Sequence, residues 1–448
     1  MTKIFPFKGV TYNKKLVGNL AKVTTPPYDV ISTEGQDAFY NTHPYNIIRL
    51  ILGKNYPGDT DLNNKYTRAS AFFKAWLNNN ILSKDEEPAI YVYEQKFSYK
   101  NKKISKLGYI ALFKIEEFEA GRIFPHENTL AKPKTDRQDL LRACSTNFEP
   151  IFSLYADEKN KITKLFKKAT KRKPTVEVKD KEKVLHRLWK ISSRSILNKI
   201  TKEMESKQIY IADGHHRYEA SLKYRNEMRS RAQKSTGEEP YNFIMMYFTN
   251  IFEKGLLILP IHRLVKDLNL KDVINLLNSL QEYFEVIEIK FTKKSEKSAQ
   301  RKLLKLISQA KEGEHFFGMY INGFNKYYLL KLKNEKAADK LMDHGKPKEW
   351  RKLDVAILHT VVIKHILGIS DNKIEDSIIF SHNDNETFER VKKGEFKLAL
   401  FLDSTKVEQI IAVANKYEKM PQKSTFFYPK LKSGLVMYKM DFPEKFSF

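Results

Sequence analysis

Residues 209–219 read Ile209-Tyr210-Ile211-Ala212-Asp213-Gly214-His215-His216-Arg217-Tyr218-Glu219, an apolar, β-leaning run that ends in a dense polar cluster and then turns helical. Gln208 to Ala212 has the composition of a short buried strand. From Glu219 onward, Ala-Ser-Leu-Lys-Tyr-Arg-Asn-Glu-Met spaces its apolar residues three to four apart, as a helix does. The polar cluster therefore falls at a strand-to-helix junction. Gly214 lets a ligand or a neighbouring backbone approach closely, and the N–H groups of a first helical turn form an anion site. Arg217 can fork onto phosphate oxygens, and His215 and His216 can donate, accept or shuttle protons near neutral pH. The plainer reading is that Asp213 caps the helix and both histidines are solvated.

Asp-Gly-His-His-Arg after a strand resembles the nucleotide-phosphate motif of the ParB and sulfiredoxin superfamily, whose members include free serine kinases. Further blocks resemble the family called domain of unknown function 1015. They are Phe-Lys-Gly-Val-Thr-Tyr-Asn (7–13), Thr-Pro-Pro-Tyr-Asp-Val-Ile-Ser (25–32), Gly-Arg-Ile-Phe-Pro-His-Glu-Asn-Thr (121–129), Ile-Ala-Asp-Gly-His-His-Arg-Tyr-Glu (211–219), Leu-Pro-Ile-His-Arg-Leu (259–264) and Met-Pro-Gln-Lys-Ser-Thr-Phe-Phe-Tyr-Pro-Lys-Leu (420–431). The resemblance, together with the alternation of strand-like and helix-like segments, predicts an α+β fold. Mixed sheets flanked by helices would contain a ParB/sulfiredoxin-like core with an added C-terminal α/β unit. Three regions are expected: an N-terminal α/β region (1–120), the phosphate-site region (121–235) and a C-terminal α/β region (236–448).

A second concentration of chemistry lies at Pro125-His126-Glu127, where a carboxylate sits beside an imidazole in a non-helical segment, with Lys132, Lys134 and Arg137 close in sequence. Phosphoryl transfer to an alcohol needs a base for the hydroxyl proton and a cationic frame for the phosphates. In ParB-type serine kinases a similar Pro-His-Glu stretch precedes the Asp-Gly-His-His-Arg loop. By that resemblance Glu127 is the catalytic base, with His216 beside it, and Asp213, Gly214, His215, His216 and Arg217 bind nucleotide phosphate. About 85 residues separate Glu127 from Asp213, more than a compact superfamily domain has. The alternative is an exposed Glu127 pairing with Lys132 or Arg137.

Other candidates surround these two. His262-Arg263 repeats the His-Arg dipeptide at the end of an apolar strand and is placed with the phosphates; a surface pair fits the spacing equally. Tyr28-Asp29 follows Pro26-Pro27, which stiffens the loop and bars helix, so the pair can line a pocket or simply anchor a turn. His126, Arg137 and Lys423 are assigned supporting or substrate-contacting roles. Lys423-Ser424-Thr425 is not a P-loop, because the Gly-x-x-x-x-Gly frame that cradles phosphate is missing.

Composition bounds the reading. With 448 residues, 41% hydrophobic and 12% aromatic, the chain is a folded protein able to bury a large core. Eighty Lys and Arg against 54 Asp and Glu give a formal charge of +26, which fits a polyanionic partner such as nucleic acid. The excess is mostly Lys spread through exposed-looking helices, without an RNP aromatic signature, zinc-finger spacing or Arg-rich tail, so nucleic-acid binding is the weaker reading. Cys144 is the only cysteine, which excludes an intrachain disulfide or thiolate cage and makes it a core residue. No apolar run reaches the roughly 18–20 residues of a membrane span, and a cytoplasmic location is expected.

Along the chain, a helix is expected from Ser32 to Asn41, a strand over 46–52, an amphipathic helix over 65–82 and a β-hairpin over 89–118. Tyr-Asn-Phe-Ile-Met-Met-Tyr-Phe-Thr-Asn (241–250) and Gly-Leu-Leu-Ile-Leu-Pro-Ile-His-Arg-Leu (255–264) read as a second pair of buried strands. His186 and Arg187 are placed on the same sheet edge as the motif. Residues 268–332 form an α/β insert that covers the site or makes a homodimer contact.

Three functions remain open. The first is a nucleotide-dependent phosphotransferase on a small hydroxylated metabolite, with free L-serine the acceptor that the resemblance implies. It would use ATP or ADP with Mg²⁺ held chiefly by nucleotide oxygens, and no dedicated protein metal site. The second is a ParB-like nucleotide-binding or hydrolysing switch that engages DNA. The third is a non-catalytic ligand-binding protein or metal-dependent hydrolase; adjacent His215 and His216 diverge, which disfavours a metal.

Overall fold

The computed structural model describes residues 1–129, 131–266 and 272–442. The start of the expected 268–332 insert, 268–271, lies outside them. The chain forms two compact units: unit 1 comprises 1–125, 129–256 and 429–448, and unit 2 comprises 126–128 and 257–428. Unit 1 thus draws segments from all three of the regions distinguished in the sequence.

Unit 1 is built on a nine-stranded mixed sheet. Its strands are β1 (Ile4–Phe5), β2 (Ile90–Tyr99), β3 (Lys102–Lys114), β4 (Ile123–Phe124), β5 (Ile151–Tyr155), β6 (Val176–Lys179), β7 (Leu185–Ile191), β8 (Ile209–Asp213) and β9 (Phe243–Asn250). They lie in the order β4-β8-β5-β9-β3-β2-β7-β6, with β1 on β3. The β8–β4 and β9–β5 pairs are parallel, and the others antiparallel. The expected hairpin is β2–β3, turning at Lys100 and Asn101, whose φ of 46° and 64° suit the two-residue turn that matches strand twist.

The helices α1 (Lys65–Asn78), α2 (Ala131–Cys144), α3 (Lys161–Thr170), α4 (Arg194–Met204) and α5 (His215–Arg231) belong to this unit. Ile162 and Phe166 of α3, Leu197, Ile200 and Met204 of α4 and Tyr218 of α5 bury against one sheet face, beside Val92, Tyr109, Ile151, Ile211 and Phe248. The opposite face carries a polar row instead. Lys106 Nζ donates to Pro429 O at 3.0 Å, Gln95 Nε2 to Lys430 O at 2.9 Å, and Lys432 N to Tyr93 Oη at 3.2 Å, so residues 429–433 are strapped across the strands by side chains.

Unit 2 contains a six-stranded antiparallel sheet: β10 (His262–Val265), β11 (Phe284–Lys290), β12 (Phe316–Ile321), β13 (Lys326–Leu332), β14 (Ile378–Ser381) and β15 (Leu398–Phe401), in the order β11-β13-β12-β15-β10-β14. Leu303 and Ile307 from helix α6 (Glu296–Ile307) pack with Phe388 and Val391 against its core. Mixed sheets flanked by helices, with an α/β unit added toward the C-terminus, are therefore what the chain builds.

Four local expectations are corrected. Ile48–Ile51 is a helical turn, not a strand: Asn46 Oδ1 accepts from Ile48 N at 2.9 Å, and Arg49 reaches back to the Tyr40 and Pro44 carbonyls at 2.9 Å each. A short apolar run carries no periodicity to tell the two apart. The strands over 241–264 do not pair with each other: β9 lies between β5 and β3, Leu257–Leu259 pairs Phe426–Tyr428, and β10 lies in the other sheet. His186 and Arg187 lie on β7, separated from β8 by β5, β9, β3 and β2. The helix after the motif begins at His215, four residues earlier than its apolar spacing implied.

Candidate functional site

The motif is delivered by an irregularity in β8. Tyr210 pairs Leu154 and Ile211 pairs Ser153, but Asp213, not Ala212, pairs Phe152. Side chains alternate with period two, so Ile211 and Asp213 would otherwise share the apolar face. The bulge turns Asp213 to the polar face, where Phe152 lies beneath the Lys106 ammonium at 4.7 Å and Lys430 Nζ donates to Asp213 Oδ2 at 2.9 Å. Burial opposes ionisation of Asp213, yet Lys430, Arg217 and His215 outweigh it and hold the carboxyl well below the usual range. Burial pulls the Lys106 ammonium well below its ordinary value, with Lys430 adding to the effect.

Gly214 has φ +93°, a left-handed conformation, and a Cβ there would sit 2.8–3.0 Å from the Arg217 guanidinium. The glycine thus provides both the turn and the room for Arg217 to fold back over it. Seventeen-residue α5 starts at His215, with Gly214 at its N-cap. His215 is buried and His216 half-buried.

Arg217 Nη1 donates to Pro150 O at 2.7 Å. Burial disfavours its charge, but Glu149, Asp213, Asp29 and Tyr28 together raise its pKa. Buried Glu149 ties the surroundings together: Oε1 accepts from Tyr28 N at 3.1 Å and from Ser433 Oγ at 2.8 Å, and Oε2 lies 4.0 Å from Arg137 Nη1. The Arg137 guanidinium stacks 3.8 Å from the Tyr28 ring centroid, donates to Ile51 O at 2.8 Å and pairs with Asp136. Although burial raises it, the Asp136 carboxyl is lowered to about 2 by Arg137 and Lys65. A cavity of about 40 Å³ borders Arg137, Glu149, Arg217 and Ser221. Unit 1 therefore gathers Tyr28, Asp29, Arg137, Asp213, Gly214 and Arg217. Lys134 pairs instead with Glu219 at 3.0 Å.

Glu127 belongs to unit 2 and sits in an equally defined setting. Its Oε1 accepts from Ser424 N at 3.1 Å, Thr425 N at 3.2 Å and Thr425 Oγ1 at 3.3 Å. His126 is fully buried, its Nε2 2.9 Å from the same Thr425 hydroxyl, and its carbonyl accepts from Met420 N at 2.7 Å. Exposed Lys423, at φ +55°, makes the turn that presents these N–H groups, and its carbonyl lies 3.4 Å from Arg263 Nη2. Burial pulls the Arg263 guanidinium down to about 10, with Glu127 opposing the shift. His262 departs from this group. Adjacent strand residues face opposite ways, and His262 Nε2 bonds Asp384 Oδ1 at 2.8 Å beside the Phe401 ring.

Sequence reasoning missed Glu149, Lys106 and Lys430. Glu149 was visible as a lone carboxylate ahead of Pro150 in an apolar run; Lys106 and Lys430 carry no local signal, because their role depends on the strap lying across the sheet. Cys144 is buried, and burial pushes its thiol up to about 12, consistent with a packing residue. Among the described residues no group of three or more His, Cys, Asp or Glu is arranged to hold a metal, and no helix is long and apolar enough to cross a membrane.

The fold and site define an α+β protein with a strand–bulge–glycine–helix motif. The chain belongs to the family described as "Protein of unknown function (DUF1015)", whose model matches residues 4–356. The 420–431 block, read as one of the family's segments, lies beyond the matched residues. None of the curated proteins matches the sequence. Among solved structures, the chain is similar to a free serine kinase variant in complex with ADP, at 13% identity over 68% of this chain and 84% of that one, with a TM-score of 0.33. A conserved hypothetical protein from Pyrococcus furiosus shows 13% identity over 69% and 89%, TM-score 0.33. SbnI from Staphylococcus aureus, with a C-terminal truncation, shows 12% over 72% and 84%, TM-score 0.33.

Proposed function

We propose that this protein is a nucleotide-dependent phosphotransferase acting on a small hydroxylated metabolite. The observation that carries the reading is the bulged end of β8, which with left-handed Gly214 leads directly into the first turn of the long helix α5. Oriented N–H groups at the start of a long helix, with Arg217 folded over the turn, form a frame suited to phosphate oxygens. Asp213 would repel a phosphate were its charge not offset by Lys430 and Arg217. His215 and His216 open that turn and supply further donors.

Glu127 is assigned the role of base. Its Oε1 is fixed by backbone and hydroxyl donors, while Oε2 accepts no hydrogen bond among the described residues and is available for a hydroxyl proton. A Mg²⁺ ion arriving with ATP or ADP would be held chiefly by phosphate oxygens and would neutralise charge developing during transfer. L-serine is the first acceptor to test, because the Asp-Gly-His-His-Arg motif resembles that of free serine kinases.

The test is phosphorus NMR of the protein with Mg²⁺, ATP or ADP, and L-serine, beside Glu127→Ala and His216→Ala. The reading predicts phosphoserine from the wild type, none from either variant, and nucleotide binding retained by Glu127→Ala. Nucleotide binding without transfer to serine would remove that acceptor. No nucleotide binding at all would remove the phosphate reading of residues 213–217.

A further inference from the structure

One cavity in unit 2 has no part in the reading above. It measures about 140 Å³ and is bordered by His315, Glu335, Asp339, Lys348, Arg351 and Lys352, with Lys336 at its edge. These residues come from the position before β12 and from the short helices α7 (Glu335–Asp339) and α8 (Lys348–Arg351). The lining carries four cationic side chains, Lys336, Lys348, Arg351 and Lys352, against the two carboxylates of Glu335 and Asp339. Both carboxylates are already engaged, Glu335 by Lys352 at 2.8 Å and Asp339 by Arg351 at 2.5 Å. Lys336 and Lys348 make no ion pair among the described residues and are exposed at the rim.

Two polar atoms at this cavity are orphaned. His315 is only 6% exposed, and its Nε2 has no hydrogen-bond partner among the described residues; nor does buried Arg351 Nε. Such atoms are costly to leave unpaired, and two on one cavity point to a ligand that completes them. His315 Nδ1 lies 2.6 Å from Asp354 Oδ1, a carboxylate that accepts from an Nδ1–H and leaves Nε2 as the unpartnered ring atom. Glu335 Oε1, at 3.6 Å from Nε2, is too far to satisfy it. Arg351 Nη1 is also 3.2 Å from His344 Nδ1, so its remaining donors and the two lysines supply the attraction for an anion.

We propose that this cavity binds phosphate, either as the free ion or as the phosphate group of a metabolite of a few carbons. A phosphate group near neutral pH presents both P–OH and P–O⁻ oxygens. It can therefore donate to the unpartnered Nε2 of His315 while it accepts from Arg351 and the two lysines. A sulfate or a carboxylate brings no such proton at neutral pH and pairs only with an imidazolium. Nucleotides are excluded by size, since pockets for larger ligands run from roughly 300 to 1,000 Å³.

Isothermal titration of the full chain with inorganic phosphate, glycerol 3-phosphate and sulfate tests this. The expected result is saturable binding of one or both phosphates, with sulfate at least about tenfold weaker. Alanine at Lys348 and Lys336 together should weaken phosphate binding about tenfold, the worth of a charge-assisted contact. Both lysines are exposed, so their replacement does not threaten folding. Tighter binding of glycerol 3-phosphate identifies a metabolite as the ligand, and tighter binding of inorganic phosphate identifies the free ion. Absence of saturable binding, equal affinity for sulfate, or indifference to the lysine substitutions overturns the proposal.

Discussion

Asp213 and Glu127 are both carboxylates at turns, and they are held by different kinds of partner. Asp213 is surrounded by cations, with Lys430 at 2.9 Å and Arg217 and His215 acting on it electrostatically. Glu127 is held at one oxygen by the N–H groups of Ser424 and Thr425 and a hydroxyl. An ion-paired carboxylate spends its charge on its neighbours, which suits a structural and charge-balancing role. A carboxylate fixed at one oxygen by neutral donors is positioned while its other oxygen stays free for a proton. The same residue chemistry is thus held in two different ways, decided by what the fold brings to each.

The largest effect that could break this contrast is on catalysis. Glu127→Gln keeps the shape and one acceptor oxygen but cannot take a proton, and should lower the transfer rate by about 10²–10⁴-fold with nucleotide affinity preserved. Rate assays paired with binding measurements check it; a parallel loss in both would mean Glu127 is part of the frame. Next in size is Gly214→Ala, which places a methyl against the Arg217 guanidinium at positive φ. It should cost about 1–3 kcal/mol in urea unfolding and weaken nucleotide binding by displacing Arg217.

The ion pair itself is accessible to a double-mutant cycle of Asp213→Asn and Lys430→Met. Side-chain exposures of 18% and 14% put it between surface and buried pairs, for which a coupling of about 1–2 kcal/mol is expected. The smallest effect is on acid stability. The carboxyls of Asp213 and Asp136 are depressed in the fold, Asp136 to about 2 from an ordinary 3.8. Depressed carboxyls contribute stability that is full above the unfolded pKa and is lost as pH falls through the folded one. Unfolding followed from about pH 5 to pH 2 should therefore lose less stability in Asp213→Asn than in the wild type over the acid limb.

How far the site could be read from sequence follows the range of the interactions. The strand, the turn and the helix around Asp213 are local, and their apolar run, glycine and helical spacing were visible in residues 208–228. The bulge that re-aims Asp213 was not, because it is set by pairing with β5, about 60 residues earlier in the chain. Lys430 and Glu149 act across similar or longer separations, and no spacing rule reaches them. The misread turn at Ile48–Ile51 has the same origin, since its helical form rests on contacts with Tyr40 and Pro44 that an apolar run does not advertise. His262 and Arg263 were read as one unit from adjacency, although any strand separates neighbours to opposite faces.

The central claim is that the loop from Asp213 to Arg217 holds nucleotide phosphate. Calorimetric titration of ADP and ATP, each with Mg²⁺, into the wild type, Gly214→Ala and Glu127→Gln tests it most directly. The account predicts that the wild type and Glu127→Gln bind alike, while Gly214→Ala binds at least about tenfold more weakly, the equivalent of about 1.4 kcal/mol. Nucleotide binding by Gly214→Ala equal to that of the wild type, or no binding by any of the three, would contradict it.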